Sequence, residues 1–183
     1  MARLVYSAIA SLDGYLVDAD GNFDWAAPDA EVHAFVNDLE RDIGTYLYGR
    51  RMYEVMRYWE TAADDGDPVE RDYAQVWRAA DKVVYSTTLD GVSTERTRLE
   101  RSFDPVAVRA LVDSVERNVS IGGANLAAHA VRAGLVDDWH LFLHPILVGG
   151  GTSVFPDDVR VDLELVDERR FAGGVVYLHH RSR

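Results

Sequence analysis

The run Leu4-Val5-Tyr6-Ser7-Ala8-Ile9-Ala10 is apolar at every position but one. A strand with one wet face alternates apolar and polar residues, so a near-continuous run fits a strand covered on both faces. Such a strand needs helices on both sides of a sheet, and the downstream pattern supplies them. After Asp13-Gly14, a turn signal, comes a polar loop with Asp20-Gly21-Asn22 and Asp24-Trp25. Pro28-Asp29 then offers a helix start, and Val32, Phe35, Val36 and Leu39 form its apolar stripe.

The same rhythm continues. Thr45–Tyr48 reads as a second strand, entering Gly49 and a helix through Tyr53, Val55 and Met56. Asp64-Asp65-Gly66-Asp67-Pro68 reads as a loop, followed by a helical stretch with Tyr73, Val76 and Trp77. Lys82–Ser86 is a third strand. Asp104-Pro105 opens a helix with Val108, Leu111, Val112 and Val115 on one face, and Val119–Ile121 is a fourth strand leading to Gly122-Gly123 and a helix to about Ala133. The last third changes character: Trp139–Val148, Asp162–Glu168 and Val175–His180 read as strands joined by glycine-containing turns. Helix-covered parallel units that finish in antiparallel pairing imply an α/β fold with a mixed, mostly parallel central sheet flanked by helices. Its 183 residues fit one domain spanning positions 1–183.

Composition narrows the function classes. The net charge of −12 opposes nucleic-acid binding, which draws on Lys and Arg neutralising phosphates. Its general effect is solubility, so an anionic ligand would need a local basic cluster, and Arg50, Arg51 and Arg57 form one. With no cysteine there is no disulfide framework, thiolate zinc site or cysteine nucleophile. No signal-peptide pattern opens the chain, and no stretch approaches the ~18 apolar residues of a membrane helix. A cytoplasmic protein is the expectation. The histidines His129, His140, His144, His179 and His180 show no metal-ligand spacing, so no metal is expected.

Chemistry in such a sheet belongs where strands meet helix starts, because free N–H groups and the helix dipole favour phosphate there. Ile121-Gly122-Gly123-Ala124-Asn125-Leu126 has that form. It is neither the G-x-G-x-x-G fingerprint nor a Walker loop, and a ligand-free tight strand–helix junction explains it equally well. Gly49-Arg50-Arg51 suits a ribose phosphate, since guanidinium forks onto phosphate oxygens, but it also reads as a solvated arginine pair. Ser86-Thr87-Thr88, at a strand end, offers hydroxyls that either donate to phosphate or cap a turn.

In order and spacing these sites resemble the dihydrofolate reductase superfamily, and within it the C-terminal reductase half of the bifunctional riboflavin-biosynthesis deaminase-reductase. The residues that carry the resemblance are Ser11-Leu12-Asp13-Gly14, Asp24-Trp25, Gly49-Arg50-Arg51-Met52-Tyr53-Glu54, Ser86 and Ile121–Leu126. His144-Pro145-Ile146-Leu147-Val148-Gly149-Gly150-Gly151 and Phe155-Pro156 complete it. The resemblance implies NADPH as cofactor, lying across the C-terminal ends of the parallel strands. Gly49 and Arg50 would start the helix facing it, with Arg50 and Ser86 at the 2′-phosphate and Arg51 and Thr87 among the other cofactor-binding residues. Gly122, Gly123, Ala124, Asn125 and Leu126 would wrap the pyrophosphate, and Ala8 would lie beside the nicotinamide. Met52 departs from the Thr common there in dihydrofolate reductases. A zinc deaminase with cysteine ligands cannot lie within these residues. The resemblance further implies a small heterocyclic or carbonyl substrate and a homodimer.

A reductase of this kind orients the cofactor and supplies a proton. The region comparable to the carboxylate of dihydrofolate reductases offers Asp29, Glu31 and His33. Glu31 leads as the acid on spacing, although a first-turn carboxylate that favours the helix dipole reads the same way. Asp13 is the second catalytic candidate and a substrate contact, set against an Asp-Gly turn role. Trp25 is either an aromatic wall of the substrate pocket or a loop aromatic closing the core. Gly149-Gly150-Gly151 is either a cofactor border or a turn between strands. An NADPH-dependent reductase is the leading expectation, and a nucleotide-binding module of the same fold without turnover is the alternative.

Overall fold

A computed structural model describes residues 1–62 and 66–183. Among the described residues are ten strands and six α-helices: β1 (Leu4–Ser11), β2 (Tyr15–Val17), α1 (Ala30–Glu40), β3 (Ile43–Gly49), α2 (Arg50–Met56), α3 (Tyr58–Thr61), α4 (Pro68–Ala79), β4 (Asp81–Tyr85) and β5 (Thr97–Glu100). Then come α5 (Pro105–Ser114), β6 (Asn118–Gly122), α6 (Ala124–Arg132), β7 (Asp138–His144), β8 (Thr152–Ser153), β9 (Leu163–Arg170) and β10 (Val176–Ser182). The Asp64-Asp65 part of the expected loop lies outside the described residues.

Eight strands form one sheet in the order β5-β4-β3-β6-β1-β7-β10-β9. All pairs from β5 to β7 are parallel, and β10 runs antiparallel to both its neighbours. The mixed, mostly parallel sheet with an antiparallel C-terminal end follows the sequence pattern. β1 sits inside it between β6 and β7, and Leu4, Tyr6 and Ala10 are fully buried. Alternate residues point to opposite faces. Leu4, Tyr6, Ala8 and Ala10 join Val119, Ile121 and the α5 and α6 residues Val108, Val112, Leu126 and Ala130 in one core. On the other face, Val5 packs with Tyr46, Tyr48, Tyr73 and Trp77, and Ile9 with Val32, Phe142, Phe171 and Tyr177. No described helix is long and apolar enough to cross a membrane.

Two expectations change. The strand expected over Trp139–Val148 stops at His144, because Pro145 has no N–H to continue a ladder and the Ile146 N–H turns back to the His144 carbonyl at 2.8 Å. Three short strands, β2, β5 and β8, escape the apolar pattern. β5 is a four-residue edge strand of alternating half-buried and exposed residues, charged at two positions, so it carries little apolar signal.

Gly149-Gly150-Gly151 connects β7 to β8 with φ of +76°, +157° and +132°. A Cβ on Gly151 would run into the Val17 carbonyl, where β8 and β2 approach, whereas a Cβ on Gly149 would meet nothing within 4 Å. Gly151→Ala should therefore lower the unfolding free energy, measured by urea titration, by about 2 kcal/mol or more, through collision and strain together. Gly149→Ala should lower it by about 1 kcal/mol, from backbone strain alone. Equal midpoints for the two variants would contradict the close approach at Gly151.

Candidate active site

The parallel strands β3, β4, β6, β1 and β7 all end on one edge of the sheet, and the sequence-derived residues lie along it. β3 ends at Gly49 and β6 at Gly122, paired through Tyr48↔Gly122. Gly123 follows as the N-cap of α6 with φ +90°, a conformation that favours glycine. Helices α1, α4 and α5 are each capped by an aspartate side chain (Asp29, Asp67 and Asp104) accepting from a first-turn N–H. α2 and α6 begin at Gly49 and Gly123 with no side-chain cap. The first-turn N–H groups of α6, from Ala124, Asn125 and Leu126, thus have no capping side chain at the end of β6. The Leu126 side chain is buried, 3.8 Å from where a Cβ on Gly49 would stand, so the two glycine sites abut. Gly122 has a packing reason of its own: a Cβ there would lie 3.1 Å from Met52 Cε and 3.3 Å from the Tyr48 ring.

Arg50 and Arg51 are exposed at the start of α2. The only ion pair described for Arg50 is a long one, 3.8 Å to Glu54 one turn on. Ser86 is buried, and its Oγ accepts from the Thr88 and Leu89 N–H groups at 3.2 and 3.1 Å, so it caps its own turn. Thr87 beside it is exposed. Arg101 was missed by the sequence reading. Its guanidinium donates to the Ser86 and Leu89 carbonyls at 3.2 and 2.6 Å, adding a cation to the turn after β4. Its signal was the overlooked strand β5, which ends one residue before it. Ala8 is buried in β1 opposite Leu141 of β7.

The substrate-side candidates separate. Trp25, in a short 3-10 turn over Asp24–Ala26, stands edge-to-face with His144 at 6.3 Å between ring centroids. These two line a cavity of about 240 Å³ with Asp29, Pro145, Ile146 and Gly173. His144 is the last residue of β7 and pairs in register with Ser11 at the end of β1. It is 7% exposed, and its Nε2 has no partner, nor has Trp25 Nε1. Burial lowers the His144 pKa, against the opposing pull of the Trp25 backbone and Asp29, so its ring is neutral at pH 7. Asp29 Oδ1 caps α1 through the Val32 N–H at 2.9 Å, and a Cβ on Gly173 would lie 2.6 Å from its Oδ2. His144 is the strongest polar group here that sequence reasoning left without a role. Its position at a strand end, just before proline, was the available signal.

The two carboxylates chosen from sequence are engaged elsewhere. Glu31 is exposed and accepts from the Ala172 N–H at 3.1 Å and from Arg169 at 3.4 Å, tying α1 to the β9–β10 turn without lining the cavity. Asp13 accepts from the Val148 and Gly149 N–H groups at 3.1 and 2.8 Å. The Ser11 side chain, with those two N–H groups, holds its carboxyl below the usual range against the opposing effect of desolvation. An acid held ionised in this way is a latch on the 148–149 segment rather than a proton store. Among the described residues no group of three or more His, Asp or Glu could hold a metal ion.

The model of the RibD C-terminal domain family matches residues 2–177. The chain belongs to that family. A Bacillus subtilis (strain 168) relative, named uncharacterized protein YyaP, is 26% identical over 178 residues, covering 96% of this chain and 93% of its own length. Among solved structures, a putative riboflavin biosynthesis protein from Shewanella sp. PV-4 superposes with a TM-score of 0.77 at 19% identity, covering 100% of this chain and 99% of that one. Dihydrofolate reductase from Enterococcus faecalis, solved with NADP(H), gives 0.64 at 16% identity, with 99% and 96% covered. These likenesses establish the dihydrofolate-reductase-like fold, in which the glycine-started helices and the Trp25–His144 cavity share one edge of the sheet.

The Asp13 latch has a pH signature. A carboxyl depressed in the folded state contributes stability above its unfolded pKa, and this is lost as pH falls through the folded value. Hydrogen exchange should accordingly show faster exchange at the Val148 and Gly149 amides in Asp13→Ala than in the parent at neutral pH. Unchanged protection would remove Asp13 from this role.

Proposed function

We propose that this chain is an NADPH-dependent reductase that transfers a hydride to a small heterocyclic substrate, of pyrimidine or pterin type, or to a small carbonyl compound. Membership of the RibD C-terminal domain family supports an oxidoreductase. The observation that carries the cofactor reading is the start of α6: a glycine N-cap at φ +90° leaves first-turn N–H groups without a capping side chain at the end of β6. That arrangement fits a pyrophosphate, because free N–H groups and the helix dipole both favour an anion. Arg50, at the start of α2, and Thr87, in the turn after β4, are both exposed and suit the ribose 2′-phosphate that distinguishes NADPH from NADH. Arg101 steadies the turn that presents Thr87.

When bound, the nicotinamide supplies the hydride. The chain's own residues then hold the acceptor. Trp25 offers an indole N–H donor, neutral His144 an imidazole nitrogen, and Asp29 a carboxylate oxygen. A flat heterocycle with mixed donors and acceptors satisfies such a set. With Asp13 and Glu31 committed to backbone N–H groups, the proton enters from the His144–Asp29 side or from water.

Titration with NADPH and NADH by tryptophan fluorescence tests the cofactor, and NADPH should bind at least about tenfold tighter, the effect of one or two charge-assisted phosphate contacts. Arg50→Ala should erase most of that preference; an unchanged ratio would remove Arg50 from the site. Equal, negligible binding of both nucleotides would overturn the cofactor assignment. The alternative of a nucleotide-binding module without turnover draws on the engagement of Asp13 and Glu31. It predicts NADPH binding with no oxidation when pterins, riboflavin precursors and simple carbonyls are supplied.

A further inference from the structure

The cavity between Trp25 and His144 is poor in charge. Among the described residues that line it, Asp29 is the only carboxylate, His144 is neutral at pH 7, and no arginine or lysine takes part. Arg169, on the strand that leads into the Gly173 turn, is committed elsewhere: it pairs with Glu31 at 3.4 Å and lies over the Phe35 and Phe171 rings. A phosphate or carboxylate on a bound molecule would therefore meet a carboxylate in this cavity and find no guanidinium or ammonium to pair with.

The rim beside it is apolar. Ile146 lines the cavity and is 36% exposed, and its carbonyl accepts from the Leu12 N–H at 2.8 Å, which joins the end of β1 to the segment after β7. Leu12 is 61% exposed and Leu147 70%, so three large aliphatic residues stand in the open on adjoining backbone. Asp13 fixes that backbone through the Val148 and Gly149 N–H groups, and it adds a second negative charge there. Single apolar residues on a surface need no explanation, but several on joined segments form a patch of the kind that marks a ligand groove or a contact surface. Continuity with the cavity through Ile146 decides for the ligand.

We propose that the substrate is a flat heterocycle bearing an uncharged, apolar substituent, with the ring in the Trp25–His144 cavity and the substituent on Leu12, Ile146 and Leu147, and that a phosphate or carboxylate tail is selected against. This rests on the reading of the cavity as the substrate side of a reductase and narrows it. The cavity, at about 240 Å³, is smaller than the ~300–1,000 Å³ of pockets that enclose a whole ligand, so a substituted ring continues over the rim. There an apolar group removes aliphatic surface from water, whereas an anionic one faces Asp13 and Asp29 without a counter-charge.

Three pterins that differ in one substituent test this: 6-phenylpterin, 6-methylpterin and pterin-6-carboxylate, titrated by their own fluorescence against the whole protein, with and without NADPH. The phenyl compound should bind at least about tenfold tighter than the carboxylate, with the methyl compound between them. Leu147→Lys should narrow that gap about threefold, the effect of one exposed ion pair, by favouring the carboxylate. Leu165→Lys, at an exposed apolar position of β9 paired with His180 toward the other end of the sheet, should leave the ranking as in the parent. Equal binding of the three, preference for the carboxylate, or no binding of any would overturn the proposal. So would a parent that sediments as a dimer and a Leu147→Lys variant that sediments as a monomer with the ranking intact, which would give the patch to a second copy of the chain. The expected ranking without any NADPH binding would uphold this proposal and overturn the cofactor reading alone, so the two failures are told apart.

Discussion

Everything at the site depends on β1 lying inside the sheet, hydrogen-bonded to β6 on one side and β7 on the other. The β1–β7 ladder runs in register from Val5↔Asp138 to Ser11↔His144. That register puts His144 beside the end of β1, while β6 delivers Gly122 and Gly123 on the other flank. A slip of one residue would turn Leu4, Tyr6 and Ala10 to the opposite face and exchange the two cores. The buried hydroxyl of Tyr6 adds a cross-tie, donating to the Val154 carbonyl at 2.7 Å and fixing the segment around β8 over the same face.

The helix starts divide by what caps them. Asp29, Asp67 and Asp104 fill the first turns of α1, α4 and α5 with their own carboxylates, a local anion that each helix dipole favours. At the ends of β3 and β6 the caps are glycines, and the neighbouring charge comes from arginines instead. In a chain of net charge −12 this distribution matters more than the total. An approaching nucleotide meets general repulsion, so a site for it requires both the absence of capping carboxylates and the local presence of Arg50, Arg51 and Arg101.

The sequence made the central fold legible because buried parallel strands and glycine-started helices leave strong marks. The continuous run of β1, the Gly49 and Gly122-Gly123 junctions and the change of pattern after Ala133 were enough for the mixed sheet and for the edge where residues gather. Short strands were not legible: β5 alternates weakly and is charged, so Arg101 went unnoticed behind it. Carboxylate roles were the least legible part. Glu31 and Asp13 stand at sensible spacings, but what each one bonds is decided by segments more than a hundred residues away, Ala172 for one and Val148–Gly149 for the other. Local pattern carries no information about such partners.

Those long-range bonds also explain how the cavity is shaped. Glu31 grips the Ala172 N–H, Arg169 lies over the Phe35 and Phe171 rings at 4.9 Å from each, and Phe171 is buried against Phe35 at 5.4 Å. The β9–β10 turn is thereby held against α1. With the turn fixed, Gly173 comes close enough to Asp29 that a Cβ there would lie 2.6 Å from Oδ2 and push the carboxylate aside. The width of the cavity between Trp25, His144 and Gly173 is therefore set by contacts outside it. Glu31, chosen from the sequence as an acid, acts on that cavity by positioning the wall that Asp29 faces.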